Sequence, residues 1–219
     1  MEEFLGVLFC GGKGTRLGEI TQYISKSFVP VYDKPVFKFG LESLTSSKLL
    51  SEIIILTNKE NNDIFSKEGF ETIIQNDKLV NDMFSGWEFI KEVTGTKKNG
   101  VLVPSDNICD SEIDGMISIF EEDKRDFLFS LFRITDKKKL SEMGSFDRVT
   151  RKFTYKDPEP ETEYGVIAPY VIRNSFQFPS DISIFESENS EILLHNGYWY
   201  DTGDIDSLLD AGNWRRKNK

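Results

Sequence analysis

Short apolar runs that are typical of β-strands alternate with amphipathic helical patterns from the N-terminus to about residue 125. Several of these runs are apolar at almost every position, a pattern typical of strands that are covered on both faces of a sheet. Alternation of this kind predicts an α/β domain with a largely parallel sheet, whose ligands gather at the carboxyl ends of the strands. The predicted strands are 4–9, 52–56, 72–75, 101–103, 127–134 and 166–172, and the helical segments contain Val80, Met83, Phe84 and Trp87, then Ile113, Met116, Ile117 and Phe120.

The alternation fades after Phe127, where further strand patterns are joined by polar connections. We expect helix to return only near "DSLLDAGNWRRK", and the cluster of prolines and acids at 157–163 to form an exposed loop. This part of the chain is predicted to finish the sheet and to add a smaller β layer. Because no internal repeat or long linker interrupts the sequence, we expect one domain, 1–219, with halves 1–125 and 126–219.

The composition excludes several classes of function. The chain has 219 residues and a formal net charge of −10, without a basic block, so nucleic acid is not an expected partner. Its two cysteines, Cys10 and Cys109, belong to no metal-binding pattern, and we expect buried, reduced thiols, as suits a cytoplasmic protein. No segment is long and apolar enough to predict a signal peptide or a membrane span.

The first predicted strand runs into the glycine-rich stretch "LFCGGKGTRLGEIT", Leu8 to Thr21. A Walker A loop would need a glycine at Val7 and a serine or threonine at Gly14, and a dinucleotide fingerprint would need a glycine at Leu17. Bare backbone beside Lys13 and Arg16 still favours a cradle for an anion such as phosphate. The alternative is an ordinary glycine turn between strand and helix, with solvated charges.

The continuation of this stretch, "GGKGTRLGEIT…SKSFVPVYDKPVFKFGLESL", resembles the signature of the sugar-1-phosphate nucleotidylyltransferases, and most of all that of glucose-1-phosphate thymidylyltransferases. One departure falls at Gly18-Glu19, where the family usually has a residue followed by proline. The resemblance implies a Rossmann-like three-layer sandwich with a mostly parallel mixed central sheet and a small substrate-facing β layer. Its signature positions are Gly11, Gly12, Gly14, Thr15, Arg16, Leu17, Thr21, Lys26 and the run from Pro30 to Pro35.

Members of that family let a sugar phosphate attack the α-phosphate of a nucleoside triphosphate in line, which expels pyrophosphate without a covalent enzyme intermediate. The resemblance implies that 1–125 binds the nucleotide and that Mg²⁺ is held by Asp106, in "VLVPSDNI", and Asp201, in "GYWYDTG". It implies catalytic roles for Arg16, Lys26 and Lys156. Gln75 is expected to read a thymine or uracil ring, because its amide pairs a donor with an acceptor. The implied nucleotide-binding residues are Leu8, Gly11, Gly12, Lys13, Gly14, Thr15, Arg16, Gln75, Ser105 and Asp106.

The sugar-phosphate half, 126–219, departs further from the family pattern. Lys156 aligns with the lysine of a Glu-Lys-Pro motif, but Tyr155 replaces the glutamate and Asp157 replaces the proline. Gly144 and Val166 align with positions that contact the sugar. The lone histidine, His195, has no metal-ligand pattern around it and is expected to be structural.

Three hypotheses therefore remain. The first is an Mg²⁺-dependent transfer from dTTP or UTP to a sugar 1-phosphate, with glucose 1-phosphate favoured. The second keeps the loop and the metal but transfers from CTP or UTP to another phosphorylated acceptor, such as phosphocholine, which the altered lysine motif favours. The third is a nucleotide-sugar-binding protein without turnover. Homo-oligomers are common in the family, but the C-terminal helical extension that often forms a contact is expected to be absent.

Overall fold

The computed structural model describes residues 2–178 and 183–219. The strands in these residues are β1 (Phe4–Cys10), β2 (Pro30–Val31), β3 (Lys34–Pro35), β4 (Leu50–Thr57), β5 (Glu71–Ile74), β6 (Asn99–Pro104), β7 (Asn107–Cys109), β8 (Phe127–Arg133), β9 (Gly144–Asp147), β10 (Lys152–Tyr155), β11 (Tyr164–Ile172), β12 (Ser190–His195) and β13 (Trp199–Asp201). The α-helices are α1 (Phe37–Ser46), α2 (Lys59–Lys67), α3 (Met83–Thr94), α4 (Ile113–Asp123), α5 (Lys137–Leu140) and α6 (Ile205–Lys217).

One mixed sheet of nine strands forms the centre of the described part of the chain. Strands β5, β4, β1 and β6 lie side by side and parallel, in that order. The sheet continues through β11 into antiparallel pairs with β6, β8 and β9, while β12 pairs in parallel with β8. The predicted α/β fold with a mixed, mostly parallel central sheet is confirmed.

The core lies on both faces of this sheet. Side chains alternate across a strand, so Leu5 and Val7 of β1 pack on one face with Trp87 of α3. Phe4 and Leu8 pack on the other face, in a cluster that includes Phe65 of α2. This double coverage explains why the strand sequences are almost continuously apolar.

The second half contains more helix than we expected. The short helix α5 and a 3₁₀ turn at Ile184–Glu186 both precede α6, so the expectation that helix returns only near the C-terminal end is wrong. Asp136 supplies the local reason for α5, because its carboxylate accepts hydrogen bonds from the backbone N–H groups of Lys138 and Lys139. The loop 157–163 is mostly exposed, as predicted.

Candidate functional site

The carboxyl ends of β1 and β6 bring the glycine-rich loop beside Asp106. The loop leaves β1 after Cys10, and Ser105 and Asp106 follow β6 directly. Because β1 and β6 are neighbouring parallel strands, their carboxyl ends share one edge of the sheet. The short antiparallel pair β7 and β13 then brings Asp201 opposite Asn107 at the same edge.

The glycine-rich loop adopts backbone conformations that require glycine at two positions. Gly14 has φ of 66°, and Gly18, within the 3₁₀ segment Thr15–Gln22, has φ of 61°. Residues that have a side chain rarely adopt φ values in this region. The departure from the family pattern at Gly18 therefore coincides with a left-handed residue. Of the other loop residues with expected roles, Lys13, Thr15 and Arg16 are exposed, whereas Leu8 is fully buried in the core.

Substitution of Gly14 by alanine should destabilise the protein. A Cβ at Gly14 would lie 2.8 Å from Cβ of Lys26 and 2.9 Å from Cγ2 of Thr21. The left-handed backbone conformation adds strain to these close contacts. We therefore expect Gly14→Ala to lower the free energy of unfolding, measured by urea denaturation, by about 1–3 kcal/mol. Gly12→Ala is the matched control, because a Cβ there meets nothing within 4 Å. Equal stability of the two variants would contradict the prediction.

Lys26 forms a close ion pair with Asp106. The lysine is 9% exposed, and its Nζ donates a hydrogen bond to Oδ2 of Asp106. The neighbouring Ser27 hydroxyl lies 3.2 Å from the hydroxyl of Ser105 and also donates to the carbonyl of Cys10 at 3.2 Å. These contacts tie the loop that carries Lys26 to the ends of both strands. Burial raises the pKa of the Cys10 thiol to about 12, so this cysteine is an inert packing group.

Asp201 lies next to Asp106 and Arg16. Nη2 of Arg16 is 3.7 Å from Oδ2 of Asp201, and Thr202 holds the two acidic loops together by donating from both its backbone N and its hydroxyl to the carbonyl of Asp106. Burial and then the negative charge of Asp106 raise the pKa of Asp201. The negative charge of Asp106 thus adds to the effect of burial on Asp201, and the charges of Arg16 and Lys26 act against both.

These two carboxylates fit Mg²⁺ rather than a metal held by protein alone. Residues 2–178 and 183–219 contain no group of three or more histidine, cysteine, aspartate or glutamate side chains that could hold a metal ion. Mg²⁺ commonly takes one or two carboxylates and completes its octahedron with water and substrate phosphates. Asp106 and Asp201 match that pattern of oxygen donors.

A cavity of about 390 Å³ opens beside the loop and is called the first cavity here. Gln75, directly after β5, lines it, and its Nε2 donates to Oδ1 of Asp77 at 2.7 Å and to the carbonyl of Gly11 at 3.4 Å. Nζ of Lys13 lies 3.9 Å from Oδ2 of Asp77. Six of the ten residues expected to bind nucleotide line this cavity together with Lys26, whereas Leu8, Gly14, Thr15 and Arg16 do not. The six are Gly11, Gly12, Lys13, Gln75, Ser105 and Asp106.

A larger cavity of about 940 Å³, called the second cavity here, shares Asn81, Asp82 and Met83 with the first. Gly144 and Val166 line it, as do six aromatic rings, one of which is Tyr155, and two acids, Asp82 and Glu88. No lysine or arginine is among the described residues that line it. The six rings are Phe84, Phe153, Tyr155, Tyr170, Phe178 and Phe185.

Tyr170 is a cavity residue that the sequence analysis missed. Its side chain is 8% exposed and stacks on Phe84. Burial raises its pKa above the usual range, so the hydroxyl stays protonated and can donate to a ligand. Strand alternation from Val166 through Ala168 places Tyr170 on the same face, a signal that could have identified it.

Lys156 is not among the residues that line either cavity. Its φ is 54°, its backbone N donates to the carbonyl of Met143, and its exposed Nζ lies 5.2 Å from the ring centroid of Tyr155. His195 lies away from both cavities, with Nε2 3.0 Å from Oδ1 of Asp110 and 3.0 Å from the carbonyl of Tyr198. These contacts agree with its expected structural role.

Among the described residues, no helix combines the length and the apolar character needed to cross a membrane.

Comparisons with known proteins agree with this architecture. The model of the family described as "Nucleotidyl transferase" matches residues 5–148. A glucose-1-phosphate thymidylyltransferase of Neisseria gonorrhoeae is 39% identical over 62 residues, which are 28% of this chain and 21% of that enzyme. The low-salt glycan biosynthesis nucleotidyltransferase of Haloferax volcanii is 25% identical over 94% of this chain and 64% of its own length. The chain thus spans less than two thirds of these curated relatives.

A solved structure shows the same fold over nearly the whole chain. This Bacillus anthracis protein, described as a candidate glucose-1-phosphate thymidylyltransferase in complex with a sucrose, superposes with a TM-score of 0.80. The alignment covers 97% of this chain and 95% of the other, at 22% identity. At that identity the likeness establishes the fold.

Proposed function

The chain belongs to the nucleotidyl transferase family, and from that membership we propose that it transfers a nucleotidyl group from dTTP or UTP to a sugar 1-phosphate, with glucose 1-phosphate favoured. Pyrophosphate is the second product. The observation that carries the proposal is the Lys26–Asp106 pair, which lies at the first cavity together with the glycine-rich loop. Asp201 and Arg16 complete this group at the same edge of the sheet.

The charges of this group suit an in-line attack by an acceptor phosphate on the α-phosphate. Such a reaction needs no protein nucleophile, because positioning and neutralisation of charge lower its barrier. The backbone of Gly11, Gly12 and Gly14 can approach the triphosphate closely, since none of these residues has a side chain. Arg16 and Lys26 offset the charge that the two phosphorylated substrates bring together.

Asp106 and Asp201 would hold Mg²⁺, which is supported by the pairing of Asp201 with Asn107, the residue after Asp106, and by the negative charge of Asp106 that acts on Asp201. When bound, the ion supplies Lewis-acid polarisation of the phosphoryl oxygens and neutralises the charge that develops on the leaving pyrophosphate. Lys26 holds Asp106 in place through a direct hydrogen bond. Thr202 holds the backbone that carries Asp106 beside the strand that carries Asp201.

The preference for thymine or uracil rests on Gln75, whose amide lines the first cavity. An amide can donate to a ring carbonyl and accept from a ring N–H, which is the pattern of both pyrimidines.

The division into a nucleotide half, 1–125, and an acceptor half, 126–219, is supported by the cavities. The described residues that line the first cavity come from the first half, and the second cavity adds residues of the second half, among them Gly144, Tyr155 and Phe185.

A second candidate acceptor is phosphocholine, with CTP or UTP as the donor. The observation that favours it is the second cavity, where aromatic rings, Asp82 and Glu88 surround a space without a basic side chain among the described lining residues. Aromatic faces and carboxylates attract a quaternary ammonium group. Tyr155, in place of a glutamate that would grip sugar hydroxyls, adds to this preference.

The proposed function is tested by a pyrophosphate-release screen that crosses dTTP, UTP, CTP and ATP with glucose 1-phosphate, other sugar 1-phosphates and phosphocholine. We expect release that requires Mg²⁺, one triphosphate and one phosphorylated acceptor. Turnover that occurs with phosphocholine and with none of the sugar 1-phosphates would show that phosphocholine is the acceptor. Binding of a triphosphate without pyrophosphate release from any pair would instead indicate a nucleotide-sugar-binding protein without turnover.

A further inference from the structure

The short helix α5 lies between the acidic edge of the sheet and the second cavity. Leu140, at the end of α5, and Met143 pack against Ile167 and Trp199 in one apolar cluster. Trp199 is two residues before Asp201 on β13, and Gly144, directly after Met143, lines the second cavity. The segment from α5 to Gly144 therefore connects the cluster around Trp199 with the second cavity.

Lys139 of α5 is held over the ring of Trp199. Its half-buried Nζ lies 5.2 Å from the ring centroid, a distance typical of a cation–π contact. The indole Nε1 donates to Oδ1 of Asn107 at 2.9 Å, and Nδ2 of Asn107 donates to Oδ1 of Asp106 at 3.1 Å. This series of contacts connects the ammonium group to one of the two acidic residues proposed to bind metal.

Lys139 also lacks an acidic partner within the described part of the chain. Within residues 2–178 and 183–219 it forms no ion pair, whereas Lys13, Arg16 and Lys26 each lie within 4 Å of a carboxylate oxygen. Partial burial acts to raise the pKa of Asp204, but hydrogen bonds from Ser207 and the charges of Arg16 and Lys139 lower it overall. The positive charges of Arg16 and Lys139 thus both act on Asp204, which lies three residues beyond Asp201.

The phosphate group of the acceptor needs a cation that is not already paired with a carboxylate. A phosphomonoester carries a charge of about −1.5 to −2 near pH 7, and the second cavity offers no basic side chain among its described lining residues. Neither Lys139 nor Lys156 is among the residues that line the two cavities, but Lys156 is exposed and lies over Tyr155, whereas Lys139 is half-buried over Trp199, whose strand carries Asp201. We propose that Lys139 binds the phosphate of the acceptor, with Trp199 as its platform, an inference that rests on the proposed function.

The test compares Lys139→Gln with Lys137→Gln and Lys138→Gln, which remove the same charge from exposed positions on the same turn. With the acceptor found in the screen, we expect Lys139→Gln to raise the KM for the acceptor by roughly 10- to 100-fold, the loss of one hydrogen bond to a charged group. The KM for the triphosphate should stay within about twofold of the native value. The two control variants should leave both constants unchanged.

Lys156→Gln is the decisive comparison. If it raises the KM for the acceptor while Lys139→Gln does not, the phosphate is bound at Lys156 and the proposal is overturned. Isothermal titration with glucose 1-phosphate and phosphocholine tests the inference separately from turnover. Native protein that binds a probe but releases no pyrophosphate contradicts the proposed function alone. Equal affinity of native protein and Lys139→Gln, or no binding by native protein, overturns the role of Lys139.

Discussion

An Asp106→Asn variant should release pyrophosphate at least about 100-fold more slowly than the native protein, because one of the two carboxylates proposed to hold Mg²⁺ and the partner of Lys26 are lost together. Asparagine has nearly the same shape, and the carbonyl of Asp106 still accepts from Thr202, so the fold should persist. The measurement is steady-state pyrophosphate release at saturating Mg²⁺, with urea denaturation on the same samples.

The control for this variant is Asp63→Asn, which removes one negative charge from an exposed position on α2. It should change neither the rate nor the stability. Native rates in Asp106→Asn would exclude Asp106 from the metal site. A shifted unfolding midpoint in this variant alone would show that its carboxylate serves the fold rather than the reaction.

Replacement of Lys26 by glutamine is expected to have the second largest effect. The ammonium group is almost completely buried and hydrogen-bonded to Asp106, so its loss removes a positive charge from the site proposed to accept a triphosphate. We expect kcat/KM to fall by about 100-fold or more, the range found when one preorganised donor is removed from an active site. Lys59→Gln, at the exposed start of α2, is the matched control.

A double-mutant cycle separates the two roles of Lys26. If the lysine acts mainly by holding Asp106, then Lys26→Gln combined with Asp106→Asn should cost little more than Asp106→Asn alone. Residues that act as one unit show such strong non-additivity. Fully additive losses would show instead that Lys26 meets the substrate phosphates independently of Asp106.

Much of the nucleotide side could be predicted from the sequence because its signals are local. The glycine-rich loop follows a predicted strand directly, and Asp106 follows another, so strand order alone places both at one edge of the sheet. The presence of glycine at Gly14 and Gly18 also has a local reason, since both residues adopt a positive φ.

The acceptor side was less predictable because long-range packing forms it. Tyr170 and Phe84 stack in the second cavity although they lie on β11 and α3, and the sequence contains no signal that joins them. Lys156 matches a family position by alignment, yet its backbone geometry leaves it exposed beside Tyr155. Nothing in the run of three lysines at α5 distinguishes Lys139 from its neighbours.

By itself, the sequence determined the α/β fold and the glycine-rich loop after β1, because strand periodicity and glycine conformation are properties of neighbouring residues. Only the tertiary structure decided which charged groups meet. Asp201 reaches the edge that carries Asp106 through the pairing of β13 with β7, and Lys139 reaches Trp199 through the packing of α5. Both encounters depend on contacts between segments more than fifty residues apart, which no local pattern encodes.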